Sequence, residues 1–88
     1  MPYEVFLERN AEKDLHKLPS KIRNKVIGII LELKNDPRPL KVRKITDSRD
    51  YFRVKAGDYR IVYEISDKEK RVNIFRIRHR KEAYSNLL

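Results

Sequence analysis

Cysteine is absent from this chain, which excludes disulfide staples and thiolate metal sites alike. Glycine occurs only twice and never in a phosphate-cradling loop, and no internal repeat or low-complexity tract marks a linker or a second domain. Long apolar runs are missing as well. The apolar stretch Val26 to Leu31 falls far short of a bilayer span, and the opening residues Met1 to Arg9 carry no basic leader. A soluble cytoplasmic protein with no membrane partner is the expectation. The histidines His16 and His79 have no ligand spacing between them, no acidic pair is spaced like a metal-dependent nuclease site, and no Ser-His-Asp signal occurs. Neither a structural metal nor a cofactor is expected, and any catalysis should be metal-free.

Positive charge is what the chain has in excess. Lysine and arginine number 22 against 13 acidic residues, a net charge of +9 on 88 residues. That density exceeds what solubility requires and points to an anionic partner, either nucleic acid or an acidic protein. A heat-adapted surface would also be rich in charge and poor in cysteine and glutamine. Clustering of the cations, set out below, favours the anionic partner. A chain this short forms one domain over residues 1–88 and buries about 60 to 65% of the surface its unfolded form exposes.

Tyr3 to Leu7 is an aromatic and β-branched run suited to a strand, and Asn10 is placed to cap a helix beginning near Ala11. Ala11, Leu15 and Leu18 recur at helical spacing until Pro19 interrupts. Ile22, Val26, Ile29 and Leu33 then stripe a second helix, which Asp36-Pro37 and Pro39 stop. Arg38 to Asp50 shows no period and reads as a surface connection, with Leu40, Val42 and Ile45 as candidate core anchors. Three strands follow, Tyr51 to Lys55, Tyr59 to Ile65 and Val72 to Arg78, the first two joined by a Gly57-Asp58 turn. The predicted class is α+β in the order β-α-α-β-β-β. A helical hairpin packs on one face of a small, mainly antiparallel sheet, and a short helix from about Lys81 closes the chain.

Period-two alternation places Tyr51, Arg53 and Lys55 on one face of the first hairpin strand and Phe52 and Val54 on the other. In the next strand Tyr59, Ile61, Tyr63 and Ile65 form the apolar face, with Arg60, Val62 and Glu64 opposite. In the last, Asn73, Phe75 and Ile77 alternate with Val72, Ile74, Arg76 and Arg78. With helices on one side, the other side of the sheet is expected to lie open, lined by Arg53, Lys55, Arg60 and at least one of Arg76 and Arg78. Like charges facing one another across strands destabilise a sheet, so a bound polyanion would offset a real cost. Arginine suits forked hydrogen bonding to phosphate, and Tyr51 offers a stacking surface for a base. His79 can exchange protons near neutral pH, with Tyr84 five residues on; a capping imidazole and a core aromatic are the structural alternatives.

These residues together resemble the RelE/ParE toxin superfamily, and within it the mRNA-cleaving RelE-like branch. The similarity runs through Ala11-Glu12-Lys13-Asp14-Leu15 with Leu18-Pro19 and the Asp36-Pro37-Arg38-Pro39 stop. It continues through Tyr51-Phe52-Arg53-Val54 and Gly57-Asp58-Tyr59-Arg60-Ile61-Val62-Tyr63 to His79-Arg80-Lys81-Glu82-Ala83-Tyr84. The resemblance implies a toxin of a type II toxin–antitoxin system that cuts mRNA in the ribosomal decoding site. It also implies restraint by a cognate RelB-like antitoxin, and contact with operator DNA only through the antitoxin complex.

Carried over by position, the family's catalytic basic residues fall on Arg53, Lys55, Arg60 and Arg80, and its tyrosine on Tyr84. Arg53 stands where relatives often have lysine, and Thr46-Asp47-Ser48 where they often place a glycine. The implied reaction is attack of a ribose 2′-oxygen on its own 3′-phosphate, leaving a cyclic phosphate, without a metal. Lys55 and His79 compete as base, Arg60 stabilises the phosphorane-like state, Arg80 stabilises charge or donates the proton, and Tyr84 orients the nucleotide. Tyr51, Arg53, Arg76 and Arg78 are the expected RNA-binding set. The rivals are a ParE-type toxin directed at gyrase and a non-catalytic nucleic-acid-binding subunit of an antitoxin repressor complex. A tail from Lys81 to Leu88, with Tyr84, Leu87 and Leu88 along one edge, suits capture by an acidic amphipathic antitoxin segment.

Overall fold

A computed structural model describes residues 2–38 and 51–81 and the backbone of 43–44. Strand β1 (Glu4–Leu7) leads into helix α1 (Arg9–Lys17) and helix α2 (Ser20–Asn35). Strands β2 (Arg43–Lys44), β3 (Tyr51–Ala56), β4 (Tyr59–Ser66) and β5 (Arg71–His79) complete the described chain. They form a sheet in the order β1-β5-β4-β3-β2, with β1 parallel to β5 and the remaining pairs antiparallel. The α+β class, the helical hairpin and the mainly antiparallel sheet are as the sequence predicts. One strand is additional: Arg43–Lys44 pairs with Arg53 and Phe52, inside the stretch expected to be only a connection. Leu40, Val42, Ile45 and the helix expected beyond Lys81 lie outside the described residues.

Local chemistry explains the breaks. Leu18 precedes Pro19, whose ring disfavours helical geometry in the residue before it, and Leu18 is extended at φ −74°, ψ 145°. Its carbonyl then accepts a hydrogen bond from Arg23 Nη2 at 3.0 Å, so the corner between the helices is tied from the second back to the first. Helix α1 starts earlier than expected: Glu8 is the cap, no side-chain oxygen caps the helix, and Asn10 lies within the first turn. The hairpin turn is as tight as its sequence suggests. Ala56 pairs with Tyr59, leaving Gly57 and Asp58 as a two-residue loop, and Gly57 alone of the two has positive φ, at 64°. That pattern is a type II′ turn, which demands glycine at its first central position.

The core lies between the helix pair and one sheet face. Ala11, Leu18, Val26, Ile30 and Leu33 from the helices meet Phe52, Val54, Ile61, Tyr63, Ile65, Val72, Ile74 and Ile77 from the sheet. Fully burying each of the larger aliphatic side chains contributes about 1.5 to 3 kcal/mol. Ile22 and Ile29 are partly buried at the margin, with Ile30 completing the stripe.

Strand β5 does not keep one phase. Tyr63 pairs with Ile74 but Val62 pairs with Arg76, so Phe75 is an extra residue in a β-bulge. Val72 and Ile74 face the core before the bulge, and Ile77 faces it after. A strict alternation cannot describe the strand. Among the described residues, no helix is long and apolar enough to cross a membrane.

Candidate functional site

Three cations share one rung of the sheet. Lys55 pairs with Arg60 on β3 and β4, and Arg60 pairs with Arg78 on β4 and β5, which places all three on the face away from the helices. Arg53, two residues along β3, lies opposite Val62 on the same face. Convergence of lysine and arginine across neighbouring strands is therefore present as the alternation predicts.

The face is not open throughout. Arg60 is only 7% exposed and Val62 1% exposed, so the middle of this side is covered where the sequence suggested bare sheet. Arg60 owes its fixed position to the turn beside it: Nη1 donates to the carbonyls of Gly57 at 3.1 Å and Tyr59 at 3.0 Å. Those bonds partly offset the cost of seating its charge between two others. Lys55, by contrast, is exposed, and its side chain makes no hydrogen bond or ion pair among the described residues. The row thus combines an anchored guanidinium with a reachable ammonium group.

Tyr51 is half-buried and packs edge-to-face on Phe75, centroids 5.3 Å apart. Part of its stacking surface is already used. Phe75 was not singled out by the sequence reading. Its adjacency to Ile74, two apolar residues in succession within an alternating strand, is the signal that marks the bulge and could have identified it.

Arg76 shares the row's face by register, opposite Val62, but its guanidinium turns to α1, while His79 falls on the helix side. The Arg76 guanidinium makes a forked pair with Asp14 of α1, Nε to Oδ2 at 2.9 Å and Nη2 to Oδ1 at 3.2 Å. His79 pairs with Tyr59, on the rung after Lys55–Arg60–Arg78, and so belongs to the helix side. Its ring meets Tyr59 edge-on at 5.4 Å, and its Nδ1 accepts the Lys81 backbone N–H at 3.2 Å. That bond keeps the proton of the neutral ring on Nε2, leaving Nε2 a donor and not a proton acceptor. The Arg80 backbone N–H donates to the Asp58 carbonyl at 2.7 Å, which pins the end of β5 to the hairpin turn, and the Arg80 side chain is exposed. Tyr84 lies outside the described residues.

The fold and this cationic row define a class, and comparison with known proteins agrees. The pattern of the ParE toxin of type II toxin–antitoxin systems matches residues 5–84. The chain is 35% identical to Toxin RelG of Mycobacterium tuberculosis, over 96% of this chain and 98% of that protein. It is 28% identical to the mRNA interferase toxin RelE of Escherichia coli, covering 97% and 93%. Among solved structures it resembles the toxin of an archaeal RelE–RelB complex from Pyrococcus horikoshii, with TM-score 0.82 and 28% identity over 94% of this chain and all of that one. The chain belongs to the ParE toxin family of type II toxin–antitoxin systems, as a RelE-like toxin.

Proposed function

We propose that this toxin is an endoribonuclease that cuts ribosome-bound mRNA without a metal and is neutralised by a RelB-type antitoxin. The observation that carries the reading is the single rung Lys55–Arg60–Arg78, with Arg80 just beyond it. Relatives named mRNA interferase and structures of RelE bound to RelB support it.

Lys55 is the general base of this proposal. It lies on the same face as Arg60 and Arg78, exposed where an incoming ribose can reach it. Removing a proton from the ribose 2′-hydroxyl lets that oxygen attack the adjacent phosphorus. The 5′-oxygen leaves with a proton from Arg80 or water, and a 2′,3′-cyclic phosphate remains. Arg60, held by the two turn carbonyls, stabilises charge on the phosphoryl oxygens without having to reorganise. Arg53 and Tyr51 line the approach to the row, and Tyr84 orients the nucleotide. The ribosome supplies orientation that so small a site cannot, an effect that accounts for several kcal/mol of barrier in general.

The test is purified toxin in a translation extract. Cut mRNA only when ribosomes are present is the expected result. Cleaved supercoiled DNA in a gyrase assay with mRNA intact would replace this reading with the gyrase-directed one, and neither product would leave a binding subunit.

A further inference from the structure

A cavity lies on the helix side of the sheet, behind the cationic row. It is a cleft of about 280 Å³ between the end of α1 and the last rungs of β4 and β5, lined among others by Asp14, Lys17, Tyr59, Arg76, Arg78 and His79. We propose that this cleft is a second RNA subsite, which takes a nucleotide next to the one held on the Lys55–Arg60–Arg78 row. The proposal rests on the reading of an RNA substrate given above.

Three observations carry it. The first is position. His79 and Tyr59 form the rung directly after Arg78 and Arg60, about 3.4 Å further along the strands and on the opposite face. A single strand crossing the end of the sheet at the hairpin turn meets one site and then the other.

The second is charge. Among the described residues the wall contains one carboxylate, Asp14, and it is already taken up by the Arg76 guanidinium and the Ile77 backbone N–H. With Asp14 and Arg76 cancelling, Lys17 leaves the cleft cationic.

The third is chemistry. His79 has its Nδ1 committed to the Lys81 N–H, so its Nε2–H is a donor suited to a phosphate oxygen or a base carbonyl. The edge-to-face Tyr59–His79 pair adds aromatic surface for a base, the usual means by which unpaired RNA is held.

The experiment uses the full chain, isotope-labelled, titrated with a 2′-O-methyl RNA tetranucleotide that lacks the attacking hydroxyl. Amide resonances of Lys17, Tyr59 and His79 should shift together with those of Lys55 and Arg60. Lys17→Ala, an exposed change, should weaken binding and reduce the slope of log affinity against log salt by about 0.7, the value for one phosphate contact on a single strand. Shifts confined to the Lys55–Arg60 side, with an unchanged slope in Lys17→Ala, would overturn the subsite. So would cleft shifts of equal size from inorganic phosphate at the same concentration. The extract assay separates the two proposals: cleft shifts without mRNA cleavage keep the subsite and defeat the nuclease, and cleavage without cleft shifts does the reverse.

Discussion

Asp14 and Arg76, 62 residues apart in sequence, form the forked ion pair that locks helix α1 to strand β5. The same carboxylate accepts the Ile77 backbone N–H at 3.0 Å. Strand β1 ends at Leu7, opposite Ile74, so the edge of β5 beyond that point has no neighbouring strand among the described residues. Asp14 supplies the acceptor that a strand would have supplied, and blunts an edge that could otherwise pair with another chain. Arg78, His79 and Arg80 follow immediately, so this contact positions the strand end on which the candidate site depends.

Asp14→Ala should lower stability by about 2 kcal/mol, because a backbone N–H and a guanidinium lose their acceptor together. For a domain of this size that is a fall of roughly 10 °C in Tm, measured by circular dichroism. Exchange of the Ile77 amide should speed up more than that of Ile61, which retains its cross-strand ladder. Equal acceleration of the two would show only global loosening.

Lys55→Ala should reduce ribosome-dependent cleavage by about 10² to 10⁴, the usual contribution of a general base. His79→Ala should lose far less, mainly through KM, and keep the wild-type dependence of rate on pH, since Nδ1 is already an acceptor for Lys81. A pH limb that vanishes in His79→Ala, measured under single-turnover conditions, would make the histidine the base instead.

Tyr63 should titrate late. Its ring is fully buried, its hydroxyl donates to the Pro37 carbonyl at 2.7 Å, and burial holds its pKa well above the ordinary tyrosine value. A group whose folded pKa is raised contributes stability that is complete below its unfolded pKa, near 10, and is lost as pH rises beyond it. Alkaline unfolding should therefore coincide with ionisation of one tyrosine followed by absorbance. Tyr63→Phe should flatten that alkaline limb, while costing about 1 kcal/mol at neutral pH for the lost hydrogen bond.

Asp67 gives the opposite dependence. Hydrogen bonds from the Arg38 guanidinium at 3.0 and 2.9 Å, and from the Tyr3 hydroxyl at 2.6 Å, lower its pKa to about 2. With the folded pKa depressed, its contribution is complete above the unfolded value of about 3.9 and disappears as pH falls through 2. Asp67→Asn should flatten stability between those limits in acid titrations monitored by fluorescence. Because the group is exposed, added salt should shrink the difference between the two proteins.

Much of the fold was legible because the periods are clean. Ala11, Leu15 and Leu18 against Pro19 define the first helix and its end, and the Gly57-Asp58 turn sets the register that brings Lys55 opposite Arg60. Helix capping was less legible: Asn10 has the right chemistry for a cap, but the chain enters the helix at Glu8, where the backbone N–H is already bonded to the Ile74 carbonyl. Tertiary hydrogen bonding overrode a local preference.

The sequence by itself determined the helical hairpin, the three long strands and the concentration of cations on one face of β3 and β4, since each depends on spacing within a single element. Only the tertiary structure decided which cations of β5 join them. One extra residue at Phe75 reverses the phase of the strand, and a carboxylate on a distant helix claims Arg76. Such assignments depend on register between strands and on contacts between residues far apart in the chain, and neither is written in the periodicity of any one segment.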